Sequence, residues 1–242
     1  MNGNPARTSR HPFQVIGALV LAIVVGLAAW WLPRLGADAA PRTPALASST
    51  HGHGHDAGTV PRTAAQQAFH DDMRKLWEDH VSWTRLAIVT FAADSPSFPA
   101  TADRLLQNQV DIGDAIKPYY GEEAGDQLTA LLTDHILIAV DILQAARAGD
   151  GDALADARAR WAANGDDIGN FLGEADPRHW PADEMRAGMA THLDQTFSEA
   201  ANELGGSYAA SVADYDAAHL HVLDMADTLS SGIIARFPAM FR

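Results

Sequence analysis

The 242-residue chain contains no cysteine and carries 31 Asp and Glu against 17 Lys and Arg, a net charge of −14. A surface of that sign repels phosphate backbones and anionic lipid, which argues against nucleic acid as a partner and favours cations. The lack of cysteine excludes disulfides and thiolate metal sites, and suits a compartment where a stray thiol would mispair.

Arg7 and Arg10 precede an uncharged run, FQVIGALVLAIVVGLAAWWL, from Phe13 to Leu32. Twenty apolar residues at 1.5 Å each cross a hydrocarbon core of about 30 Å. Trp30 and Trp31 close the run, where amphipathic rings favour the interface. The positive-inside rule then puts residues 1–12 in the cytoplasm, makes 13–32 a single transmembrane anchor and exports the rest to the periplasm or cell exterior. Ala37-Asp38-Ala39 offers the competing reading, a cleaved signal peptide, although the run is longer than an ordinary signal core.

Residues 33–62 form a linker rich in Pro, Ala, Ser, Thr and Gly. Within it His51, His53 and His55 alternate with glycine, a tract able to capture a metal loosely. Residues 1–60 hold four basic and two acidic residues, so the remainder carries 13 basic and 29 acidic and a net of −16. From Thr63 apolar residues recur at i, i+3, i+4 and i+7, and no stretch alternates with period two. The expected fold of 63–242 is all-α, an antiparallel bundle of six helices at about 64–93, 100–117, 122–148, 152–172, 182–204 and 208–236. Gly or Pro stands at every boundary.

The second and fourth helices share a signature. Arg104, Asn108, Asp111, Ile112 and Gly113 match Arg160, Asn164, Asp167, Ile168 and Gly169 at identical spacing. His135 follows Asp111 by 24 residues and His192 follows Asp167 by 25, with Asp141 and Glu199 beyond them. This pairs helices two and three with helices four and five as a partial duplication. Gly113 and Gly169 are expected to allow close helix approach.

Four long helices each place one histidine near mid-length: His80, His135, His192 and His219. Their faces are apolar, that of His192 mixed. A buried imidazole needs a partner for each ring nitrogen. A metal can serve one nitrogen, and Asn108, Asp111, Asn164 and Asp167 can orient the other in a second layer. The expected site is therefore His80, His135, His192 and His219 around a transition metal, with Zn, Cu or Fe fitting imidazole. No Glu-x-x-His occurs, so ferritin-type di-iron chemistry is disfavoured. Met185, Met189 and His192, with His221 and Met225, give a weaker copper signal, since methionine on a helix is commonly core. Ser82 and Ser211 near histidines have no supporting nucleophile pattern.

The segments LWEDHVSWTR, RLLQNQVDIGDAIKPYYGEEAG, LLTDHILIA and AAHLHVLDMADTLSSGII carry a resemblance to a little-characterised group of bacterial all-helical proteins. The resemblance spans Leu76 to about Phe237 and implies one coherent domain; it transfers no catalytic residue. Three functions follow as expectations. One is metal handling or sensing at the outer membrane face. The second is a non-catalytic envelope interaction module with a structural polar core. The third, and least expected, is a metal-dependent enzyme.

Overall fold

A computed structural model describes residues 63–242. The expected N-terminus 1–12, anchor 13–32 and linker 33–62, with His51, His53 and His55, lie outside the described residues. Those described are all-helical, with six long helices and no strand: α1 Ala64–Ala92, α2 Phe98–Tyr120, α3 Glu122–Ala148, α4 Gly151–Ala175, α5 Ala182–Leu204 and α6 Tyr208–Arg236. A 3-10 turn, Pro238–Phe241, closes the chain.

Local chemistry sets the helix limits. Thr63 caps α1 through a reciprocal pair with Gln66, and Asp150 caps α4 by accepting from the Ala153 amide at 3.0 Å. Gly149 ends α3 at φ 67°, a left-handed conformation that glycine adopts without steric cost. The α2 helix is longer than its periodicity implies. Pro99 lies in its first turn, where a missing N–H costs nothing, and Pro118 sits close enough to the end for the helix to run on to Tyr120. By length and composition α3 alone among the described helices could cross a membrane. Here it packs between α2 and α4.

Each helix packs on its sequence neighbours, and α6 returns to α1, so the six form a closed ring. Arg74 on α1 meets both carboxylate oxygens of Asp227 on α6 at 2.6 Å, and Thr63 donates to the Phe241 carbonyl at 2.7 Å.

The repeat is threefold, and its unit is the hairpin of one odd and one even helix. His80, His135 and His192 stand at 55- and 57-residue intervals on α1, α3 and α5. Three residues earlier stand Trp77, Leu132 and Met189, and one residue later Val81, Ile136 and Leu193; all six are buried. On the even helices Asn108, Asn164 and His221 correspond. Leu105, Trp161 and Ala218 precede them by three, and Ile116, Leu172 and Leu229 follow by eight, again all buried. The side chain of each even-helix residue clamps a carbonyl four residues before the paired histidine. Asn108 donates to Leu76 O at 3.0 Å, Asn164 to Leu131 O at 3.0 Å and His221 to Gly188 O at 2.9 Å. The signature shared by α2 and α4 thus extends to α6 as His221-x2-Asp224-Met225-Ala226, and α1 belongs to the first copy.

The conserved spacing includes a packing device. A Cβ on Gly113 would meet Gly125 O at 2.6 Å, and one on Gly169 would meet the Arg186 backbone at 2.8 Å. Glycine lets α2 approach α3 and α4 approach α5 at backbone contact.

Candidate functional site

The three odd helices run in the same direction and turn equivalent residues to one centre. His80 and His192 ring centres are 5.8 Å apart, and those of His135 and His192 5.7 Å. All three side chains are buried. Burial is the main reason each resists protonation. It pushes His80 down to about 3, helped by the facing His135, and His135 down to about 4. His192 also lies well below the ordinary range, through burial and then its neighbours His135, His80 and His221. At neutral pH the cluster is three neutral imidazoles, the form that binds metal.

The surrounding amides orient two of the rings. His135 Nδ1 donates to Asn164 Oδ1 at 2.9 Å while Asn164 Nδ2 holds Leu131 O. That fixes the tautomer and leaves the His135 Nε2 lone pair open. Trp161 packs on the same ring at 5.1 Å and donates to His135 O at 3.1 Å. His80 faces Asn108 and also Gln109, whose Nε2 is 3.3 Å from His80 Nδ1. The Gln109 Oε1 and His192 Nδ1 atoms are buried without a partner among the described residues. In the third hairpin His221 replaces the asparagine and spends its Nε2 proton on Gly188 O, so His192 has no amide oxygen to match that of Asn164.

Not every expected residue joins this centre. His219 is a correction: it stacks on Tyr215 at 5.7 Å and lies 3.6 Å from Glu78, partly exposed. It sits on an even helix, whose inward position in the repeat is His221. Asp111 and Asp167 are also corrected. Asp111 accepts from Gln107 at 3.1 Å and faces Arg104, and Asp167 is exposed. They lie three residues beyond the clamping asparagines, a helical turn away from the histidines. Met189 is buried beneath the triad, and Met185 and Met225 pack against the same core. Asp141 pairs at the surface with Arg160 at 3.1 Å.

Two axial cavities flank the imidazole layer. On the side of the preceding residues, Met73, Trp77, Leu132, Met189, Met225 and Tyr120 line an apolar gap of about 20 Å³. On the other side a cavity of about 50 Å³ is bounded by the histidines and by the residues four, seven and eight positions beyond them. Those are Thr84, Ala87 and Ile88, then Ala139, Ile142 and Leu143, then Thr196 and Ala200.

Sequence reasoning missed Gln109 and a buried charged network above the triad. Where the first two hairpins place Ala87 and Ile142, the third places Glu199. Arg85 donates to Glu199 at 3.2 Å, to Glu203 at 3.0 Å and to Ser211 at 2.5 Å, and Ser211 donates to Glu203 at 2.7 Å. Burial raises Glu199 to about 7 against the opposing pull of Arg85. The usable signal was Glu199 and Glu203 one turn apart on the His192 helix. With side chains as they stand, no group of three or more His, Asp or Glu among the described residues is set to hold a metal ion. Comparison with protein-family models, curated proteins and solved structures returned no match.

Proposed function

We propose that this is a membrane-anchored, extracytoplasmic helical bundle that holds one transition-metal ion between His80, His135 and His192, for metal handling or sensing. One observation carries the reading: three neutral imidazoles from three equivalent helices meet at a common centre, next to a cavity. Three imidazoles on one ion at ~2.1 Å place their ring centres about 5–5.5 Å apart. The two separations that run through His192, 5.7 and 5.8 Å, are a few tenths of an ångström wider, so binding would require the rings to turn inward. Asn164 already supplies the Nδ1 acceptor a ligating histidine wants. Asn108, or Gln109 with its amide turned over, would do the same for His80. Zinc, copper and iron all suit three nitrogens, and the acidic domain surface concentrates cations.

The test is metal retention by the full chain, purified without an affinity histidine tag and with His51, His53 and His55 changed to alanine to silence the linker. One equivalent of Zn(II) or Cu(I), lost in His135→Gln, is the expected result. No retained metal, or retention indifferent to His135→Gln, overturns the proposal.

A second reading has its own support. Asn164, Asn108 and His221 clamp backbone carbonyls, so the polar layer fixes helix register, and the imidazoles stand slightly too far apart for a shared ion. Under this reading the domain is an envelope interaction module whose core is only structural. His192→Leu then removes an unpartnered buried nitrogen and raises stability with no other consequence.

A further inference from the structure

We infer that the cavity beyond the triad is a binding chamber for a small, uncharged, apolar molecule of the size of a diatomic gas, held against the face of the three imidazoles. As a ligand to the metal it rests on the reading above; as a chamber it rests on the cavity alone. Its walls are Ala87, Ile88, Ile142, Leu143 and Ala200, with Phe98 and Phe197 further out. The polar groups that reach it are few. The Thr84 hydroxyl is committed to His80 O at 2.8 Å, and the Trp161 N–H to His135 O at 3.1 Å. A polar or charged ligand would thus find little to bond besides Thr196 and the imidazoles.

The cavity measures about 50 Å³, against the roughly 10–15 Å³ that one water-sized body needs. That is room for a diatomic molecule. Cavities with largely apolar walls take up apolar guests. Half-buried Ala102, Ala139 and Val140 border it and give a route from solvent between helices. A metal held by the three imidazoles would keep a further coordination position, which a small molecule in the chamber could fill. One axial direction opens on this chamber. The other faces only the smaller gap of about 20 Å³ lined by Trp77, Leu132 and Met189. Dioxygen, nitric oxide and carbon monoxide share the size and polarity the chamber selects.

The experiment has two arms on the linker-silenced full chain. The first loads the protein with Cu(I) without oxygen, adds carbon monoxide and records the infrared C–O stretch. A single sharp band that disappears in Ala87→Leu and in Ala200→Leu, with copper retained in both, is the expected result. Copper retained with no band overturns the chamber as a ligand site and leaves the metal reading standing. The second arm measures xenon binding to the metal-free chain by ¹²⁹Xe magnetic resonance. Saturable binding that either substitution removes is expected whether or not the protein retains copper. No xenon site in the parent chain overturns the chamber independently of the metal. Two fillings guard against one of them failing to fold, which circular dichroism reports.

Discussion

At the residue scale the decisive fact is that three histidines are buried as neutral rings. Their native proton affinity is below that of an unfolded histidine, near 6.5. The unfolded chain therefore binds more protons than the folded one below that pH, and stability falls as pH drops from about 6.5 toward 4. The slope is roughly 1.4 kcal/mol per pH unit for each ring. Glu199 acts in the opposite sense. Its raised affinity, about 7, stabilises the fold at low pH and is lost as pH rises from 4.5 through 7. Three rings outweigh one carboxyl, so we expect thermal melts of the full chain to show a loss of several kcal/mol between pH 7 and pH 5. An unchanged melting temperature over that range would show that the rings are not buried neutral. The same depression means that protons compete little for the triad, so metal affinity should be nearly flat from pH 8 to pH 6. Asn164→Ala removes the Nδ1 acceptor of His135 and the donor to Leu131 O in one step. We expect about 2–4 kcal/mol of destabilisation by urea titration, since both partners stay buried.

Much of this was legible residue by residue. Asn164 and Asn108 stood out as repeated polar positions on helices, and His80, His135 and His192 as helix-centre imidazoles. His219 misled because α6 packs on both α1 and α5. Its apolar neighbours Val212, Tyr215 and Val222 identify a packed helix without saying which neighbour each side chain meets. Arg85 and Ser211 were silent because neither belongs to any repeat; only the fold brings them to Glu199 and Glu203.

At the element scale, the unit is a helical hairpin with a carbonyl clamp and a close-approach glycine. The sequence displays two copies plainly and hides the third, where Asn, Ile and Gly have become His221, Met225 and Ala226. His221 keeps the donor and Ala226 the burial, while His221 and Met225 are only half-buried, and the letters are lost, which is why the periodicity reads as a duplication. Gly169→Ala would drive a methyl into the Arg186 backbone. We expect it to destabilise the fold by ~2 kcal/mol or more, despite alanine's better helix propensity. Gly188→Ala, whose Cβ meets nothing within 4 Å, is the control and should be neutral or slightly stabilising. Equal effects of the two would discount the close helix approach.

At the scale of the whole molecule the ring must close between α1 and α6. Contacts of different worth tie α1 to the last two helices. Arg74 and Asp227 form a partly exposed pair, and Arg74→Ala should cost under about 1 kcal/mol. Arg85 lies among buried Glu199, Glu203 and Ser211, so Arg85→Ala strands two carboxylates and should cost roughly 3–5 kcal/mol at pH 8. The cost should shrink toward pH 5 as Glu199 takes a proton, which denaturant titrations at the two pH values would reveal. Bundle architecture and helix limits were readable because Gly and Pro punctuate every connection. The ring closure and the threefold centre were not, since they depend on contacts between the first and last helices.

The central claim is that the triad is one metal centre on the pseudo-threefold axis. X-ray absorption on the linker-silenced full chain loaded with one equivalent of Zn(II) tests it most directly. Three imidazole nitrogens at about 2.0–2.1 Å around a single ion are expected, with that shell lost in His192→Leu. A shell dominated by oxygen, or one unchanged in His192→Leu, would contradict it.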